Sequence, residues 1–244
     1  MLAGSRPPAL PIGAPTLPPD GYLRYCSRVP LECGDSAEEV IFGIARQALD
    51  RMKTRHASGS NGGPASIQTA SGANTEAEKR PPSSPSRNPA APARPNASDE
   101  PPRQDRFPRM SPRLWALLTR VDDQVNHAIV PRSDALTSGF DDYWSDPIEE
   151  KSGFGDCEDY VLSKQHMLLA EGLPRNLLNI ALVSTPSGES HAVLLVSTRE
   201  GDLVLDNLSP WISLWRDTPY SWSLRQVNGN PLYWVAPGSA ANSP

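Results

Sequence analysis

A lone cysteine stands among carboxylates in Gly155-Asp156-Cys157-Glu158-Asp159-Tyr160. His191 follows 34 residues later, and Asp206 follows 15 residues after that. Each stands at the edge of an expected element: Cys157 opens a helix, His191 opens a strand and Asp206 closes one. A cysteine, a histidine and an aspartate in this order are the parts of a nucleophilic cysteine enzyme. The thiol would attack, the imidazole would carry its proton, and the carboxylate would orient the imidazole and stabilise its charged form. Taken singly, each has a plainer reading: a small buried apolar residue, a structural histidine, a turn aspartate. The set carries the catalytic reading.

The thiol sits between opposing influences. Asp156 reads as an N-cap, which puts Cys157 in the first helical turn, where unpaired N–H groups favour a thiolate. Glu158 and Asp159 favour the neutral thiol, because neighbouring negative charge raises its pKa. A cysteine so placed needs a cationic partner, either an imidazolium or a bound metal ion.

The positioning elements are legible in outline. Ser111-Pro112 starts a helix, with serine as cap and proline in the first turn. Leu114, Leu117, Leu118, Val121, Val125 and Ile129 give it one apolar stripe, and Val130-Pro131 ends it. Residues 133–152 read as a structured loop, on which Trp144 either walls a cleft or packs in the core. A second helix runs from Cys157 to about Glu171, with Gly172 as its natural stop and Cys157 on the Val161 and Leu168 side. The period then changes to that of strands: Leu178 to Thr185, His191 to Thr198, Leu203 to Leu205, Ser221 to Val227 and Leu232 to Val235. Helices followed by a strand meander predict an α+β domain, the cysteine helix packed on an antiparallel sheet.

Register decides whether His191 and Asp206 meet. A turn centred on Thr198-Arg199 sets them directly across adjacent strands. A turn centred on Glu200-Gly201 slips the aspartate four residues, roughly 13 Å, out of reach.

The whole chain has 244 residues and 27 prolines, with 38% hydrophobic residues. That is too much proline for one compact domain. It concentrates in residues 1–20 and 54–112, which read as a disordered N-terminus and a disordered Pro/Ser/Ala-rich insert, with 238–244 as a disordered tail. Residues 21–53 read as a helical segment docking on the core domain, 113–237; Val40, Ile41, Ile44, Ala45, Ala48 and Leu49 repeat at helical spacing there. Cys26 and Cys33 lie in that segment, either as a local disulfide or as two reduced thiols. Over residues 111–237, 17 acidic residues stand against 9 basic ones, a difference of −8. This disfavours nucleic acid as a partner. No transmembrane segment is legible, and no apolar run of signal-peptide length opens the chain.

Several motifs resemble one family. Asp122-Asp123-Gln124-Val125-Asn126, Asp141-Asp142-Tyr143-Trp144, the box around Cys157, His191-Ala192-Val193 and Val204-Leu205-Asp206-Asn207-Leu208 are similar to those of the bacterial transglutaminase-like cysteine peptidases. That group includes periplasmic LapG-type proteases that release surface adhesins. The resemblance implies a papain-like, transglutaminase-type fold and a cysteine peptidase with Cys157 as nucleophile, His191 as base and Asp206 as orienting carboxylate. It implies calcium held by Asp156, Glu158 and Asp159, a protein substrate, and a periplasmic location for which no leader is visible. Transglutaminase-type acyl transfer and a catalytically silent, calcium-dependent binding module are the alternatives.

Overall fold

The computed structural model describes residues 9–34, 106–139 and 142–242. The helix expected over Val40 to Leu49 and most of the Pro-rich insert lie outside the described residues. What is described is an α+β fold, as expected. Its sheet has seven antiparallel strands in the order β1-β9-β8-β4-β5-β6-β7. These are β1 (Ile12–Thr16), β4 (Leu178–Ser184), β5 (Ser190–Ser197), β6 (Asp202–Leu205), β7 (Ser213–Leu214), β8 (Ser221–Val227) and β9 (Asn230–Pro237).

Both faces of the central strands are covered, which explains their near-continuous apolar sequence. Alternate residues Ile180, Leu194, Val196 and Leu205 share a core with Leu118, Val121, Val125, Val161 and Leu168 of two helices. The intervening Ala181, Val183, Val193, Leu195 and Val204 pack under Trp215 and Trp222 on the other face. Each such side chain contributes about 1.5–3 kcal/mol by leaving water.

The two helices are α3 (Pro112–Ala128) and α5 (Cys157–Ala170). The Ser111 hydroxyl caps α3 by accepting from the Leu114 amide at 3.2 Å. Helix α5 lies against β5 and α3. It is closed by Gly172, whose φ of +87° suits glycine. Between them run β2 (Val130–Pro131), the short α4 (Asp134–Thr137) and β3 (Phe154–Gly155). β2 and β3 pair in parallel, setting the residue before Asp156 beside the exit of α3. The Tyr160 hydroxyl donates to the Ile129 carbonyl at 2.7 Å, a second tie between the same two points.

The N-terminal segment differs in part from expectation. Ile12–Thr16, within the stretch read as disordered, forms the edge strand β1 against β9. Backbone pairing on an open sheet edge orders it, and alternation of apolar residues is not required for that. Near the end of the described residues, the Asn242 side chain exchanges two hydrogen bonds with the Trp222 backbone. Helices α1 (Asp20–Arg28) and α2 (Pro30–Cys33) are joined by a Cys26–Cys33 disulfide. Tyr22 meets Trp144 and Trp234 edge-on, with centroids 5.0 and 5.4 Å away. Trp144 is 1% exposed, so it is a core residue and does not wall a cleft. Glu32 of α2 pairs with His166 of α5 at 2.7 Å, clasping the segment to the cysteine helix.

Candidate active site

Cys157 is the first residue of α5, with Asp156 at the N-cap. The Asp156 amide donates to Asp159 Oδ2 at 3.0 Å, the returning half of a capping box. Asp159 is held in turn by the amide and hydroxyl of Ser145, at 2.7 and 2.9 Å. This fold-back requires glycine at 155, where a Cβ would stand 2.5 Å from Asp159 Oδ2. The Cys157 thiol is half-buried and donates to Glu158 Oε2 at 3.1 Å. Burial raises its pKa, and the charges of Glu158 and Asp156 raise it further; only a backbone hydrogen bond with Ala192 acts against them. Burial and the two neighbouring carboxylates together favour the neutral thiol.

His191 and Asp206 form a buried pair, Nε2 to Oδ1 at 2.8 Å. Neither turn considered from the sequence sets their relation. β5 and β6 pair with Leu194 opposite Leu205 and Ser197 opposite Asp202, which centres the turn between Arg199 and Glu200. Asp206, just beyond β6, is thereby diagonal to His191, offset by two residues. Diagonal neighbours share a face, and their side chains reach across. Burial would raise Asp206, but hydrogen bonds from His191, Tyr220 and the Leu208 amide outweigh it and hold the carboxyl below its usual range. The Tyr220 hydroxyl donates to Oδ2 at 2.5 Å, and Asn126 Nδ2 fixes the Asp206 carbonyl at 2.9 Å. Beneath them lies a second buried pair, Lys164 and Asp122 at 2.7 Å. Tyr220 and Lys164 had no signal in the sequence, since their partners are 14 and 42 residues away; Asn126 lay in a family-like motif, but its partner, 80 residues away, was not legible.

Cys157 and His191 line one cleft of about 450 Å³, with Gly155, Tyr160, Asn207 and Leu208. Asp206 lies behind His191. A larger cavity, about 730 Å³, contains none of these residues.

The acidic residues divide into two groups that share Asp156. One is Asp156, Cys157 and Glu158; the other is Asp134, Asp156 and Asp159, with ligand atoms within 4.8 Å of one another. Glu158 thus turns to the thiol, while Asp134, on α4, joins the cluster unforeseen. The sequence holds no spacing signal for it; the β2–β3 pairing brings it there. Burial raises all three carboxyls, Asp134 to about 6, Asp156 to about 8 and Asp159 to about 7; the Asp156 charge adds to the rise of Asp134 and Asp159, and Glu158 adds to that of Asp156. Asp156 Oδ1 is buried with no hydrogen-bond partner. Three hard oxygen donors, one of them unsatisfied, fit a calcium ion.

The α+β core sets a half-buried cysteine at the start of a helix. The chain belongs to the bacterial transglutaminase-like cysteine proteinases (BTLCP), whose family model matches residues 94–241. It is a cysteine-type peptidase. Solved structures of Legionella pneumophila LapG are similar to it. One is 27% identical over 57% of this chain and 76% of its own, with a TM-score of 0.43. An EGTA-treated form is 27% identical over 50% and 67%, with a TM-score of 0.41. A calcium-bound form is 24% identical over 58% and 80%, with a TM-score of 0.43. No curated protein matches the chain. No helix among the described residues is long and apolar enough to cross a membrane.

Proposed function

We propose that the chain hydrolyses a peptide bond in a protein substrate through Cys157, His191 and Asp206. The observation that carries this is the buried His191–Asp206 bond of 2.8 Å behind a cleft that Cys157 shares. His191 Nδ1 takes the thiol proton, and Cys157 Sγ attacks the scissile carbonyl. The C–N bond breaks, a thioester forms, and His191 returns the proton to the leaving amine. Water, deprotonated by His191, then releases the acyl group and restores the thiol. Asp206 stays ionised throughout and stabilises the imidazolium. Backbone N–H groups at the start of α5 are the oxyanion donors.

Calcium belongs to this reading. Asp134, Asp156 and Asp159 would hold it, and its charge offsets the carboxylates that keep the thiol neutral. The disulfide supports an oxidising compartment such as the periplasm.

The test is to sequence the new N-termini that the protein produces in a bacterial surface-protein extract, with calcium and with chelator. Termini made by the wild type and absent with Cys157→Ala support hydrolysis. Identical termini from both proteins refute it, and products that appear only with added primary amine assign acyl transfer instead.

A further inference from the structure

The larger cavity lies at the far end of α5 from the nucleophile. Its floor is apolar, made by Leu114 and Leu117 of α3 with Leu173 and Leu177 beyond α5. Its walls carry four arginines, Arg106, Arg109, Arg113 and Arg120. This gathering stands out because over residues 106–237, which include all four, 17 acidic residues stand against 11 basic ones, a difference of 6. Arg113, Leu117 and Arg120 are spaced i, i+4, i+7, so one face of α3 presents charge beside apolar surface. Arg120 is oriented by Glu171 at 2.8 Å, and Arg106 donates to Asn228 at 3.1 Å. Arg109 and Arg113 form no ion pair with any described residue.

We propose that this groove docks an acidic segment of a partner polypeptide in which carboxylates alternate with large aliphatic side chains. The leucine floor takes the aliphatic groups, and the guanidiniums pair with carboxylates in the forked geometry that arginine favours. An extended chain places successive side chains on opposite faces, so alternation presents leucines to the floor and acids to the rim. Nucleic acid suits the groove poorly, because the floor offers no aromatic platform. The cavity size is within the range of ligand sites. Helix α5 separates the groove from Cys157 by about 20 Å, so a docked segment lies roughly six or more residues from any bond at the thiol. Docking is thus independent of the catalytic reading and is tested by binding alone.

The experiment is fluorescence anisotropy of the full chain with a labelled eight-residue peptide alternating leucine and aspartate. Saturable 1:1 binding is expected, weakened at least ~10-fold by Arg109→Glu/Arg113→Glu and reduced by raising the salt. The iodoacetamide labelling rate of Cys157 is expected to stay the same in that variant. Should the charge reversal fail to fold, Arg109→Ala/Arg113→Ala is used in its place. The proposal is overturned if the peptide does not bind, if the folded variant binds it as the wild type does, or if a leucine/asparagine peptide binds equally well. Binding to phosphatidylglycerol vesicles with none to the peptide also overturns it, in favour of a lipid site.

Discussion

Glu158 Oε2 lies 3.1 Å from Cys157 Sγ and accepts the thiol's hydrogen bond, so a carboxylate stands beside the sulfur. The adjacent charge favours the neutral thiol, on top of burial. Replacing it by a neutral acceptor of the same shape removes that penalty. Glu158→Gln is expected to raise the iodoacetamide labelling rate of Cys157 at pH 7 in chelator by about 10-fold, the value of one pKa unit. An unchanged rate would mean that Glu158 does not control the thiol.

His191 and Asp206 act as a unit. His191→Ala is expected to lower proteolysis by about 10²–10⁴-fold, and Asp206→Asn by at least ~100-fold, without loss of fold. Tyr220→Phe removes a donor that helps hold Asp206 below its usual pKa. The carboxyl then titrates higher, so the acid limb of the rate–pH profile shifts to higher pH. Profiles of Cys157 alkylation for the three variants check this; superimposable wild-type and Tyr220→Phe limbs would count against the coupling.

The Asp134–Asp156–Asp159 cluster gives the stability a defined pH dependence. All three carboxyls titrate higher in the folded state, at about 6, 8 and 7, than their ordinary value of 3.8. The folded protein therefore binds more protons than the unfolded chain between these limits. The stabilisation is present below the unfolded pKa and is lost as pH rises through 6 to 8. In chelator, Tm is expected to fall by several degrees between pH 5 and pH 8. Calcium, binding the ionised cluster, should reverse most of that fall at pH 8. Asp134→Asn should remove part of the pH dependence and weaken the calcium response. Thermal scans at both pH values measure all of this.

Lys164 and Asp122 are both almost wholly buried, at 1% and 2% exposure. Removing one partner strands the other charge. Lys164→Met is expected to cost about 3–5 kcal/mol, while Lys164→Met/Asp122→Leu recovers most of it. Urea denaturation compares the two; equal losses would show that packing, not charge, sets the cost.

The elements around the site were legible because local rules govern them. Ser111-Pro112 and Asp156 announce helix starts, Gly172 a helix stop, and near-continuous runs of Ile, Val and Leu the central strands. The order Cys157, His191, Asp206 was likewise readable, as residue type and element edge alone suggest it. The structure alone decided how these parts meet. The β5–β6 turn is centred between the two signals in the sequence, and that one-step difference makes Asp206 a diagonal neighbour of His191. Strand Ile12–Thr16 exists because β9 offers it an open edge. Asp134 reaches Asp156 through the pairing of two-residue strands, and Glu158, one residue beyond the thiol, bonds to Cys157. Local sequence sets conformation residue by residue, whereas these contacts depend on sheet register and on side-chain direction between segments distant in the chain.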